Sequence, residues 1–245
     1  EISEDELHQL IEAARTSRDA PIASAQESAQ RAPISYDFRR PQQVNEDQAR
    51  RMEGIHEPFA RLIAATLSSN MRMVIDVDLA FCSQLVYSEF IVSLANPSSS
   101  YSFSMKPFAG QALMSLGNEL VMAIIDRNMG GQGQVFSADA RAPTQIEMNV
   151  INKLATRILT DLEATWEPVA RIEITEVALE TSPEFSQITA PSDGVFVVAF
   201  EANARTASGL VHLCYPLSSL DPLLPRLTPS YRDPDRERRR PTDVQ

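Results

Sequence analysis

The sequence predicts an α/β domain made of two similar halves, an antiparallel-dominated sheet covered by helices and related by approximate two-fold symmetry. Three observations predict it. The order helix, strand, hairpin, helix occurs twice, the second time about a hundred residues after the first. Strand segments alternate apolar with polar or small residues, whereas helical segments repeat their apolar residues every three or four positions. Finally, Gly110-x-Ala-x-Met-x-Leu116 is paralleled by Gly209-x-Val-x-Leu-x-Tyr215. With 245 residues and 43% hydrophobic content, the chain can bury a real core.

Residues 1–15 open on Ser3-Glu-Asp-Glu6, a capping-box pattern in which the Ser side chain caps first-turn amides and Glu6 reaches back. Leu7, Leu10, Ile11 and Ala14 then recur at helical spacing, opposite Glu4, Asp5 and Glu12. About a dozen residues cannot hold a helix alone in water. A capped apolar stripe of this kind suits a peptide that folds onto a partner's groove, the alternative being a terminal helix docked on its own core. Residues 16–42 are small, polar and Pro-containing, which predicts a flexible linker.

The duplicated domain is expected over 43–227. Its first half begins with a helix over 46–69 that sets Met52, Ile55, Phe59, Leu62, Ile63 and Thr66 on one face. A strand follows, in which Ile75, Val77, Leu79 and Phe81 alternate with Asp76, Asp78 and Ala80. The segments SYSFSMK and GQALMSL form a hairpin around Pro107 to Gly110, and a helix covers 117–129. In the second half, a helix over 144–166 carries Ile151, Leu154, Ile158 and Leu162. ARIEITEVALE is the strand, VFVVAFEA and SGLVHLC the hairpin, and 217–224 a weak helix. Residues 228–245 are charged and Pro-rich, a linker rather than core.

Composition narrows the function. A net charge of -11 and a pI near 4.8 exclude a general binder of nucleic acid or anionic membrane and point to protein partners. Cys82 and Cys214 sit in strand-like apolar runs, as free buried thiols in a reducing, cytoplasmic compartment would. No apolar run approaches the length of a membrane span. His8, His56 and His212 fall in separate elements without metal-ligand spacing, so no metal or cofactor is expected. No Gly-x-Ser-x-Gly occurs, and Asp76 with Asp78 reads as a strand's solvated side rather than a catalytic pair.

The stretch DRNMGGQGQV, Asp126 to Val135, concentrates glycines directly after a helical pattern. Phosphate-binding loops run in the opposite order, from strand through glycines to a helix N-terminus. A helix C-terminus carries partial negative charge and repels phosphate. One glycine suffices for a C-cap, so three within four positions suggest a recognition surface.

The stretches YDFRRP (Tyr36–Pro41), IHEPFAR (Ile55–Arg61), DRNMGGQG (Asp126–Gly133), SPEFSQITAPSD (Ser182–Asp193) and SGLVHLCYP (Ser208–Pro216) resemble, in order, those of the flagellar motor switch protein FliM family. The resemblance implies a CheC/CheX-like middle domain within a cytoplasmic ring at the base of the flagellar motor, peripheral to the inner membrane. It implies that the glycine loop docks on the rotor protein FliG through Asp126, Arg127, Gly130, Gly131, Gln132 and Gly133. Asn128 and Met129 stand where the family has a leucine pair. The N-terminal stripe resembles the family's peptide for phosphorylated CheY, with Glu6, Leu7, Leu10 and Ile11 matching its Glu-Ile-Asp-x-Leu-Leu pattern and His8 replacing an acid. Neighbouring FliM subunits and FliN are further implied partners, the latter through a C-terminal domain that this chain lacks. Similar folds include phosphatases of phosphorylated CheY, which carry a helix-borne Glu-x-x-Asn. Here no asparagine follows a glutamate at that spacing, so no enzymatic activity is expected. The remaining alternative is a non-flagellar adaptor of the same fold.

Overall fold

The computed structural model describes residues 44–133 and 141–227. In chain order these form α1 (Glu46–Met71), β1 (Ile75–Val86), α2 (Tyr87–Ser93), β2 (Ser98–Lys106), β3 (Gln111–Gly117), α3 (Asn118–Asn128), α4 (Gln145–Trp166), β4 (Glu173–Glu180), β5 (Gly194–Ala204), β6 (Ser208–Pro216) and α5 (Leu217–Leu220). Short 3-10 turns lie at Pro183–Phe185 and Leu224–Leu227.

Each half opens on a helix whose start is fixed by its own side chains. At α1 the Asn45 side chain accepts from the Gln48 amide at 2.8 Å, and Gln48 accepts from the Asn45 amide at 3.0 Å. At α4 the Glu147 carboxylate accepts from the Thr144 amide at 2.7 Å and is gripped from both sides by Arg141, at 2.6 and 2.7 Å. The Arg141 hydrogen bonds, seconded by the Thr144 amide, hold the Glu147 carboxyl at about 2.

The six strands form one antiparallel sheet in the order β1-β5-β6-β3-β2-β4. This order makes the two-fold symmetry explicit. Each half keeps its own hairpin, β2-β3 or β5-β6, but exchanges its first strand: β1 pairs with β5 and β4 pairs with β2. The pseudo-axis runs between β3 and β6, where Met114 lies opposite Leu213, its counterpart in the repeated Gly-x-x-x-x pattern. Both exchanged strands carry an irregularity at the corresponding place, near Ala80 in β1 and at Glu176 and Val177 in β4.

Helices α1, α3 and α4 cover one face of the sheet. Phe59, Ile63 and Leu67 of α1 and Ile158 and Leu162 of α4 are fully or almost fully buried against Phe103, Met114, Phe200 and Leu213 from the strands. At the centre, a chain of hydrogen bonds crosses this apolar layer. His56 Nδ1 faces the Met52 carbonyl at 2.8 Å, which requires a proton on Nδ1. Its Nε2 therefore accepts from the Tyr215 hydroxyl at 2.9 Å, while Trp166 Nε1 donates to that hydroxyl at 3.5 Å. Burial pushes the His56 ring down to about 4, so it stays neutral; the backbone bond to Met52 opposes the shift. The opposite face holds a smaller core in which Tyr87, Phe90 and Leu94 of the α2 region pack on Leu113, Val195, Val197 and Cys214.

Several expectations are corrected by this packing. The irregularity near Ala80 shifts the register of β1, so Leu79 lies opposite Phe200 but Phe81 lies opposite Ala199. Phe81 thus leaves the helix-covered face and is 44% exposed, and Cys82 takes its place against the main core. Leu62 is at the margin of the α1 stripe and 37% exposed, and Thr66 instead donates to Asp161 of α4 at 2.7 Å. Helix α2 is an addition to the expected order; at seven residues it is too short for apolar periodicity to declare it. Asp76 and Asp78 are exposed, as an alternating strand requires. Both cysteines are free, Cys214 buried and Cys82 half-buried.

Candidate functional site

The glycine loop is built on the C-terminus of α3. Two backbone bonds close the helix as a Schellman motif: Gly131 N–H donates to the Asp126 carbonyl at 2.8 Å, and Gly130 N–H to the Arg127 carbonyl at 3.2 Å. Gly130, at φ 97°, supplies the left-handed residue that this cap needs.

The cap accounts for one glycine; the side chains of Asp126 and Arg127 account for the others. The Asp126 carboxylate turns back to accept from the Gly133 amide at 2.8 Å. To do so it crosses Gly131 so closely that a Cβ there would lie 2.2 Å from a carboxylate oxygen. Gly133 has φ 75° and fits between Thr206 and Met71. Arg127 completes the arrangement with two donations, from a terminal guanidinium nitrogen to the Gly131 carbonyl at 3.1 Å and from Nε to the Met71 carbonyl at 2.8 Å. The latter satisfies an end carbonyl of α1 and sets a positive charge at that helix's negative pole.

Of the residues expected to dock, Asp126, Arg127, Gly130, Gly131, Gln132 and Gly133 come together in one braced turn. The acid and the arginine face inward as supports, Gly133 is buried, and the exposed rim is Asn128, Met129, Gly130 and Gln132. Asn128 also bridges helices, donating to the Asn70 side chain and to the Ile124 carbonyl, both at 2.8 Å. Sequence reasoning missed Asn70, Met71 and Thr206 as supports because their contacts are tertiary and leave no local pattern. Glu6, Leu7, Leu10 and Ile11 lie outside the described residues, as does His8.

A groove of about 470 Å³ lies elsewhere, between α1 and β1, lined by residues including Arg50, Glu53, Glu57, Arg61 and Asp78; none of the expected docking residues lines it. Among the described residues no group of histidine, cysteine and acidic side chains could hold a metal ion, and no helix is long and apolar enough to cross a membrane.

Comparison with known proteins agrees with this architecture. The family described as Flagellar motor switch protein FliM matches residues 45–232. The flagellar motor switch protein FliM of Treponema pallidum is 34% identical over 231 residues, covering 94% of this chain and 67% of that protein. The one from Thermotoga maritima is 32% identical over 227 residues, covering 93% and 68%. Among solved structures, a chain from the crystal structure of the FliG–FliM complex of H. pylori has a TM-score of 0.71 at 30% identity, covering 74% of this chain and 100% of its own length. Sequence, fold and the intact glycine turn therefore lead to one conclusion: this chain belongs to the flagellar motor switch protein FliM family.

Proposed function

We propose that this chain is a component of the flagellar motor switch that docks on the rotor protein FliG through the turn at Asp126–Gly133. The observation that carries the proposal is the division of labour within the turn. Asp126 and Arg127 tie its backbone from inside, at 2.8 and 3.1 Å, and leave Met129, Gly130 and Gln132 presented outward. A turn braced in this way loses little conformational freedom on binding, and bare glycine lets a partner approach the backbone. A related chain of the same fold occurs in a complex with FliG, which supports the choice of partner.

The regulatory half of the proposal concerns the N-terminal segment. Glu6, Leu7, Leu10 and Ile11 capture phosphorylated CheY, and the tether raises its effective concentration near the domain. Bound regulator shifts a two-state arrangement of FliM and FliG subunits only in so far as it prefers one state. Neighbouring FliM subunits and FliN complete the assembly, placed at the cytoplasmic face of the membrane. The role is mechanical, and no catalytic step is assigned.

Met129 offers a clean test, since its side chain is 57% exposed while its backbone lies in the helix cap. In calorimetric titration with the middle domain of FliG, Met129→Glu is expected to weaken binding about tenfold with an unchanged circular dichroism spectrum, as loss of a rim-to-core contact does. Equal binding by both proteins places the docking face elsewhere. Failure of the unaltered chain to bind favours the non-flagellar adaptor.

A further inference from the structure

We infer that the docking surface extends beyond the glycine loop onto the α1–β1 and β5–β6 turns, with Val74 and Met129 as apolar anchors and Arg72 and Arg205 meeting carboxylates of the same protein partner. The inference rests on the docking reading above and adds the chemistry of the surface that the partner must present.

The three segments share one end of the domain. Arg127 binds the Met71 carbonyl, Asn128 binds Asn70, and Gly133 fits against both Met71 and Thr206. The register of the sheet adds a further tie: β1 begins with Ile75 opposite Ala204, so the residues just before Ile75 and just after Ala204 are neighbours. Val74 is 79% exposed and Met129 57%. Single exposed apolar side chains are ordinary, but these two stand on turns fastened to the same loop.

Charge points the same way. The chain has a net charge of -11, yet Arg72 and Arg205 are both exposed, and the ion pairs found among the described residues are made by Arg50, Lys106, Arg141 and Arg157 and by neither of these two. Asp126, the acid within the braced turn, is already engaged by the Gly133 amide. The arginines are thus free to meet acidic groups from outside, which sets orientation and speeds encounter. Size argues for one continuous surface, because a specific interface covers roughly 800 Å² on each partner, more than a few residues of a glycine turn provide.

The test is titration of the whole chain with the middle domain of FliG at low and at high salt, comparing Arg72→Glu, Arg205→Glu, Val74→Ser and the loop variant Met129→Glu. Each arginine reversal is expected to weaken binding about tenfold at low salt, with the deficit shrinking at high salt as screening sets in. Val74→Ser is expected to weaken it at both. If Met129→Glu loses affinity while the arginine and valine variants bind as the unaltered chain does, the loop reading stands and the extension falls. If the unaltered chain does not bind, both fall. Arginine-dependent self-association in sedimentation equilibrium, without any change in FliG binding, assigns the patch to a second copy and overturns the inference. Two reversals at separate turns guard against misfolding at the left-handed Arg72, whose φ is 52°.

Discussion

Alanine at position 131 is expected to weaken binding to FliG by at least about thirtyfold, the ~2 kcal/mol that defines an interface hot spot, with the circular dichroism spectrum unchanged. A methyl group there would lie 2.2 Å from an Asp126 oxygen, which is not a tolerable contact. The carboxylate is the part that can yield. It swings away, the Gly133 amide loses its acceptor, and the rim of the turn is no longer held in place. Because the damage runs through Asp126, Asp126→Ala should weaken binding similarly, and the double variant should be little worse than either single one. Calorimetric titration of the four proteins decides it. Additive losses would separate the two residues, and undiminished binding by Gly131→Ala would remove the loop from the interface.

Acidification from pH 7 to about 4 is expected to cost about 3 kcal/mol of stability through His56 alone. Its ring has a folded value of about 4 against an ordinary 6.5, so the unfolded chain takes up the proton first. The contribution is intact above 6.5, declines as pH falls from there, and is fully lost once the folded value is passed. Burial is the cause, since a charged ring at this place would lose its water inside an apolar layer; protonation would also turn Nε2 from the acceptor of the Tyr215 hydroxyl into a donor facing it. Urea unfolding at neutral and acid pH should show a smaller pH dependence for His56→Gln, although that variant starts from lower stability. Parallel losses in both proteins would place the acid sensitivity in other groups.

Much of the fold is legible in the sequence because the repeated halves use strong signals. The long helices declare themselves through apolar spacing, and the hairpins through alternation, in the first case around Pro107 to Gly110; the caps at Asn45 and Thr144 come only with the structure. The exchange of β1 and β4 is not legible, because alternation says which face a residue takes and nothing about which strand lies beside it. Phe81 is misplaced for a related reason: one extra residue near Ala80 reverses the faces beyond it. At the site, the three glycines stand out in the sequence, and their separate reasons do not. Gly130 serves the helix cap, Gly131 the passage of a carboxylate, and Gly133 a positive φ between Thr206 and Met71.

The exchanged strands also bear on ancestry. A chain holding one half alone would have a bare hairpin edge and a first strand with nothing to pair with. It could satisfy both by trading strands with a second copy of itself. On this hypothesis the axis between Met114 and Leu213 is the remnant of a homodimer joined into one gene by duplication. A half-chain of residues 45–133 that sedimented as a folded monomer would contradict that history. Obligate pairing of the half-chain would mean that the switch domain inherited its two-fold form from an assembly older than itself.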